Sequence, residues 1–167
     1  MSHTFWRSVR RTHMAAAFTG EGAAEFPGRY NAAGVRAVYL ADCPAGCALE
    51  VIASNAAPEA ILTHVLFEVE IAAALIDLRT PAALRRYGVC VQDLTQPDDY
   101  EAPRRVAARL IAERRAGAIV PAATVALACN VVIFPDVWSR FVVRRSVPLA
   151  LDGRLIRLTA AALGPAG

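Results

Sequence analysis

The sequence predicts an α+β fold, a mixed β-sheet core with packed helices. Three observations predict the class. Short apolar and β-branched runs outnumber helical stretches and do not alternate strictly with them. One stretch, Ala102 to Arg115, is plainly amphipathic, with Val106, Leu110 and Ile111 on one side and arginines on the other. Near the C-terminus, Asp152-Gly153 separates two strand-like runs, and such a pair supplies the positive φ angles of a tight hairpin turn.

The elements follow in order. Thr4 to Val9 is an aromatic and β-branched run and reads as the opening strand. Gly20 to Gly34 is rich in glycine and polar residues and reads as a long functional loop. Val35 to Ala41 is a second strand. Pro44 to Asn55 is a helix, with Pro tolerated in its first turn and apolar residues at three- and four-residue steps. Leu62 to Ile71 alternates in its second half, as a strand does, and Leu75 to Leu78 is a shorter one. Pro81 to Tyr87 is a short helix, and the amphipathic helix 102–115 follows. Ala118 to Val120 and Asn130 to Phe134 are short apolar strands. Ser146 to Leu151 and Arg154 to Leu158 form the closing hairpin.

A length of 167 residues suits one domain, residues 1–167, large enough for a real core. Much of the 56% hydrophobic content is alanine, so the core leans on Leu, Ile, Val and a few aromatics. The net charge is +3, and every basic residue is arginine. The arginine pairs are spread along the chain instead of forming a nucleic-acid stripe, which argues against direct nucleic-acid binding. Cys43, Cys47, Cys90 and Cys129 form no C-x-x-C pair; they read as small buried thiols in a reducing compartment, not as a metal site. The first residues carry no apolar signal core and no run approaches a membrane span, so a cytoplasmic location without membrane contact is expected. There is no strand–G-x-G-x-x-G–helix unit and no P-loop.

Three stretches resemble the RES-domain family. Phe5-Trp6-Arg7 places an aromatic pair before arginine on the first strand. Thr19-Gly20-Glu21-Gly22-Ala23, running on to Gly28-Arg29-Tyr30-Asn31, is similar to the family's G-x-G-A and G-G-R-W-N. Val38-Tyr39-Leu40-Ala41, followed by Ala48-Leu49-Glu50-Val51, is similar to its Y-L-A strand and glutamate-bearing helix. Gly117 to Ala122 matches G-x-x-x-P-[SA], and Asn130 with Pro135 matches N-x-x-x-N-P. The sequence departs at Pro27 for Gly, Tyr30 for Trp, and Phe134 for Asn. Ala122 stands where many relatives have Ser. Tyr100-Glu101 stands where some carry Trp-Ser.

The resemblance implies an α+β fold with an ADP-ribosyltransferase-like mixed β-sheet core and packed helices, and the toxin half of a type II toxin–antitoxin pair that consumes NAD as substrate, with no separate cofactor. The nicotinamide–ribose bond would be hydrolysed or, with inorganic phosphate as acceptor, phosphorolysed. Transfer of ADP-ribose to a protein, or a weakened relative acting as a binding module, are the alternatives. The implied partner is a cognate antitoxin with a helix-turn-helix domain that covers the active-site cleft and carries any DNA binding.

The residues suit that chemistry. Cleavage builds an oxocarbenium-like charge on the ribose, and a nearby carboxylate stabilises it; Glu50 is the candidate. Arg7 and Arg29 are candidates for the pyrophosphate, because a guanidinium presents a planar fork to phosphate. Arg7, on a central strand, needs an anionic partner, either Glu50 or the ligand. Tyr39 is a candidate to stack on a base. Tyr30, Gly20, Gly28 and Asn130 are candidate substrate-binding residues, the glycines for close backbone approach. His13, His64, Ser8, Ser139 and Thr124 show no partner pattern and read as structural.

Overall fold

A computed structural model describes residues 3–54, 63–152 and 154. Its centre is a seven-stranded mixed sheet, and the α+β expectation holds. The strands are β1 (His3–Arg10), β2 (Val38–Ala41), β3 (His64–Ile71), β4 (Ile76–Asp77), β5 (Gly117–Pro121), β6 (Cys129–Ile133) and β7 (Val142–Pro148). Their spatial order is β4-β5-β6-β2-β1-β3-β7. β4 runs parallel to β5, and every other pairing is antiparallel.

The helices are α1 (Glu21–Glu25), α2 (Pro44–Ser54), α3 (Pro81–Tyr87), α4 (Val91–Thr95) and α5 (Glu101–Ala112), with a 3-10 turn at Arg11–Ala16. Local chemistry sets their ends. At α3 the Thr80 hydroxyl accepts a bond from the Ala83 N–H, Pro81 fills the first turn, and Gly88 leaves the helix at a φ of 66°. α5 buries Val106, Ala107 and Leu110.

Strand alternation and register assign the two faces of the sheet. Trp6, Leu66, Tyr39, Ala41, Val132 and Ala118 share one face. α2 packs on the Trp6, Leu66 and Ala41 part of it. α3 to α5 pack on the Ala118 and Val132 part, through Tyr87, Leu94, Val106 and Leu110. The opposite face is an aliphatic and aromatic core of Phe5, Leu40, Phe67, Val69, Val131 and Ile133. The rings of Phe18, Phe67, Phe141 and Trp138 close over it in edge and tilted contacts at 5.0–5.5 Å.

Several expectations need correction. The stretch Gly20 to Gly34 is not all loop, since it begins with α1. The second strand starts at Val38, three residues later than its apolar run suggested. The first strand of the expected closing hairpin is placed differently. β7 starts earlier and pairs with β3 along the sheet edge, and Arg154, its amide bonded to Asp152 Oδ1, is helical. The rest of the expected second strand lies outside the described residues. Arg144 and Arg145 on exposed β7 bond to Glu70 and Glu68 of β3, which ties down an edge strand that is otherwise open to pairing. The arginines are also less scattered than the sequence suggested, because Arg86, Arg109 and Arg115 all meet the Glu113 carboxylate. Among the described residues no helix is long and apolar enough to cross a membrane.

Phe134 is 1% exposed at the centre of the helix-side core. Phe134→Ala is expected to cost about 3–5 kcal/mol in a denaturant unfolding curve, as large aromatic truncations do. A change below 1 kcal/mol would show that this core does not hold the sheet and helices together.

Candidate functional site

The site arises from a parting of two strands. β1 and β2 are neighbours, yet they share a single registered pair, Trp6 with Ala41. Beyond it the strands diverge. The gap, together with the space between α2 and the α5 side of the same sheet face, forms a cleft of about 570 Å³. Arg7, Arg29, Tyr39, Glu50, Tyr100 and Asn130 are among its lining residues.

Glu50 enters from α2, half-buried. Its Oε1 accepts two hydrogen bonds, each 2.8 Å, from Thr124 Oγ1 and Asn130 Nδ2. Among the described residues Oε2 accepts none. The carboxylate is thereby fixed on one oxygen and left available on the other. Asn130 is on β6 and Thr124 on the turn between β5 and β6, so three separate elements converge on this group.

Asn31 organises the loop opposite. It is 1% exposed. Its Oδ1 accepts from the Gly28 N–H at 2.9 Å and the Tyr39 hydroxyl at 2.7 Å. Its Nδ2 donates to the carbonyls of Ala23 and Val35, at 2.6 and 3.1 Å. The Tyr39 hydroxyl in turn accepts from the Tyr30 N–H at 2.9 Å. Gly28 is required here on packing grounds: a Cβ at this position would lie 2.8 Å from the Tyr39 hydroxyl oxygen. Burial pushes the Tyr39 phenol up to about 12, so it is neutral at physiological pH and does not act as a base.

Arg7 departs from expectation. Alternation places it on the far face of the sheet, with Phe5 and Val9. It reaches the cleft at the β1–β2 gap, where Nε donates to the Ala17 carbonyl at 2.5 Å and Nη1 to the Tyr39 carbonyl at 2.7 Å. Glu50 is not its partner, and among the described residues no carboxylate forms a salt bridge with it. Burial pulls its pKa down to about 10, which leaves it charged at neutral pH. Of five guanidinium N–H donors, two are used.

Arg29 lies across the cleft. Its guanidinium donates to the Gln96 carbonyl and stacks on Tyr100, 4.6 Å from the ring centroid. Arg104 lies 5.5 Å from the same centroid and holds the Gly28 carbonyl through Nε and Nη2, at 3.2 and 3.1 Å. The loop carrying Gly28 and Arg29 is therefore clamped to α5.

Of the expected site residues, Gly20 sits elsewhere and Tyr30 is largely core. Gly20 does not line the cleft. It starts α1 at a φ of 77°, and a Cβ there would lie 2.9 Å from the Ala37 backbone nitrogen, so glycine serves the backbone. Tyr30 borders the cleft, but its ring is buried in the helix-side core and its hydroxyl has no partner among the described residues. The departures resolve similarly. Phe134 is core, Glu101 is exposed with Arg105 as its neighbour, and Ala122 is buried outside the cleft lining.

Asn31, Thr124, Tyr100 and Arg104 were missed as site residues. Asn31 was visible inside the Gly28-Arg29-Tyr30-Asn31 motif. Nothing local marked Thr124 or Arg104, whose partners lie 74 and 76 residues away. The thiols divide: Cys47 and Cys129 are buried, and burial raises Cys47, at the cleft wall, to about 12, whereas Cys43 and Cys90 are exposed, contrary to expectation.

The RES domain family model matches residues 4–152. Among solved structures, a chain from the crystal structure of the M. tuberculosis MbcT–MbcA toxin–antitoxin complex aligns with a TM-score of 0.75 at 27% identity. The alignment covers 96% of this chain and 90% of that one. Comparison with curated proteins gives no match.

The Tyr39 geometry has a pH signature. An unfolded tyrosine ionises near 10, the buried one near 12. The raised value gives stability that is complete below pH 10 and lost as pH climbs from 10 through 12. Across that window the unfolding free energy of wild type is expected to drop relative to that of Tyr39→Phe; a constant difference would contradict a buried, neutral phenol.

Proposed function

The chain belongs to the RES-domain family, and from that premise we propose that it is the toxin of a toxin–antitoxin pair and that it cleaves the nicotinamide–ribose bond of NAD. One observation carries the chemistry: a single cleft combines a carboxylate aimed by two hydrogen bonds with a charged guanidinium that has no carboxylate partner among the described residues. NAD needs both. Its reacting ribose becomes cationic and its diphosphate is anionic.

Glu50 is the group placed against the ribose. As the bond from C1′ to the nicotinamide nitrogen breaks, its electron pair goes to the ring and neutralises the pyridinium. The ribose carries the resulting charge, and the Glu50 carboxylate stabilises it. An oxygen of water or inorganic phosphate then bonds to C1′; with water as the acceptor, one proton is released to solvent. Arg7 and Arg29 take the diphosphate, the first through its unused N–H donors and the second from its seat on Tyr100. Tyr39 offers its ring for stacking while its hydroxyl stays committed to Asn31 and Tyr30. Asn130 acts through Glu50, and Gly28 lets the loop close in on the Tyr39 hydroxyl.

The toxin assignment is supported by family membership and by likeness to a chain of a named toxin–antitoxin complex. The matching partner is an antitoxin that covers the cleft and bears the helix-turn-helix domain. NAD as substrate fits a cytoplasmic site of action.

NAD loss over time by purified, antitoxin-free protein, with and without phosphate, tests the proposal. Glu50→Gln retains an oxygen for Thr124 and Asn130 and is expected to lower the rate by roughly 10²–10³-fold. Dependence on phosphate would identify phosphorolysis. A folded wild-type protein that leaves NAD intact under both conditions would overturn the proposal.

A further inference from the structure

We infer that Thr124 is a positioning residue for Glu50, supplying a hydroxyl to the cleft from the turn between β5 and β6. The inference rests on the NAD-cleaving function proposed above. Ala122 is buried and does not line the cleft. Two residues on, Thr124 does line it, and its Oγ1 lies 2.8 Å from Glu50 Oε1.

The geometry shows why a hydroxyl matters at this point. A glutamate has three rotatable side-chain bonds, and a half-exposed one is free to swing. Asn130 alone would restrain Oε1 along one direction. Thr124 restrains the same oxygen from a second element, so the two bonds together fix where the carboxylate sits and how its plane is turned. Oε2 is left directed at substrate by default. Thr124 itself does not need to touch substrate to act.

The turn that carries Thr124 is exposed, and it holds Leu127 at a φ of 69°, a backbone state that a branched side chain rarely adopts. Its conformation is therefore imposed by its two ends and not chosen by its own sequence. One end is the backbone bond from the Ala122 N–H to the Ala128 carbonyl, at 3.0 Å. The other is Asp42 Oδ2, which accepts from the Cys129 N–H at 3.3 Å. Holding the turn in place holds the hydroxyl in place.

Thr124→Val keeps the side-chain shape and removes the donor; Thr124→Ser keeps the donor. A hydrogen bond to a charged group corresponds to about a 10- to 100-fold effect. Thr124→Val is expected to lower kcat for NAD by that factor with KM within about threefold, and Thr124→Ser to restore most of it. Crystal structures of both variants supply a readout independent of turnover: the Glu50 carboxylate should leave its wild-type position in Thr124→Val and keep it in Thr124→Ser. An active Thr124→Val with kcat like wild type, or a Glu50 unmoved in that variant, overturns the inference. A wild type without NAD turnover sinks the proposed function instead, and the position of Glu50 in the two crystal structures still decides whether Thr124 positions it.

Discussion

The site depends on the separation of β1 and β2 and on Arg7, which occupies it. Two adjacent strands that share one registered pair leave backbone carbonyls without ladder partners, and buried carbonyls need donors. Arg7 meets that need for Tyr39 on β2 and also holds the Ala17 carbonyl that follows the 3-10 turn. It also brings a positive charge into the interior of the sheet, where an unpaired charge is costly. Two carbonyl dipoles offset part of that cost. The remaining donors face a cleft of a size suited to a small-molecule ligand. The same contacts that bridge the parted strands therefore leave a charged guanidinium at the cleft wall.

Around that opening the chain uses rigid, convergent supports. Glu50 is held from β6 and from the turn before it, Tyr39 from the Gly28–Asn31 loop, and Arg29 from Gln96 and Tyr100. Each support comes from a different part of the sequence. The arrangement is preorganised, so little ordering remains to be done when a ligand arrives.

Much of the architecture was legible in the sequence because its signals are local. Alternation in Val65 to Ile71 and the three- and four-residue spacing in α5 each report on a single element. The start of β2 was not legible, because Val35 belongs to the apolar run while its carbonyl already serves Asn31. The start of β7 was not legible either, because Arg144 and Arg145 break its apolar pattern and their carboxylate partners, Glu70 and Glu68, lie far back on β3. Among the residues that line the cleft, those inside a contiguous motif were legible, as with Arg7, Arg29, Tyr39 and Glu50. Gly20 lies in such a motif too, yet its role is to turn the backbone. Thr124 and Arg104 act through partners far along the chain, and only the fold brings them into place.

The most direct measurement is a crystal structure of Glu50→Gln with NAD bound. The account predicts the diphosphate within hydrogen-bonding distance of Arg7 and Arg29, and the nicotinamide ribose beside position 50. NAD bound outside this cleft, or a diphosphate that leaves Arg7 contacting only the carbonyls of Ala17 and Tyr39, would contradict it.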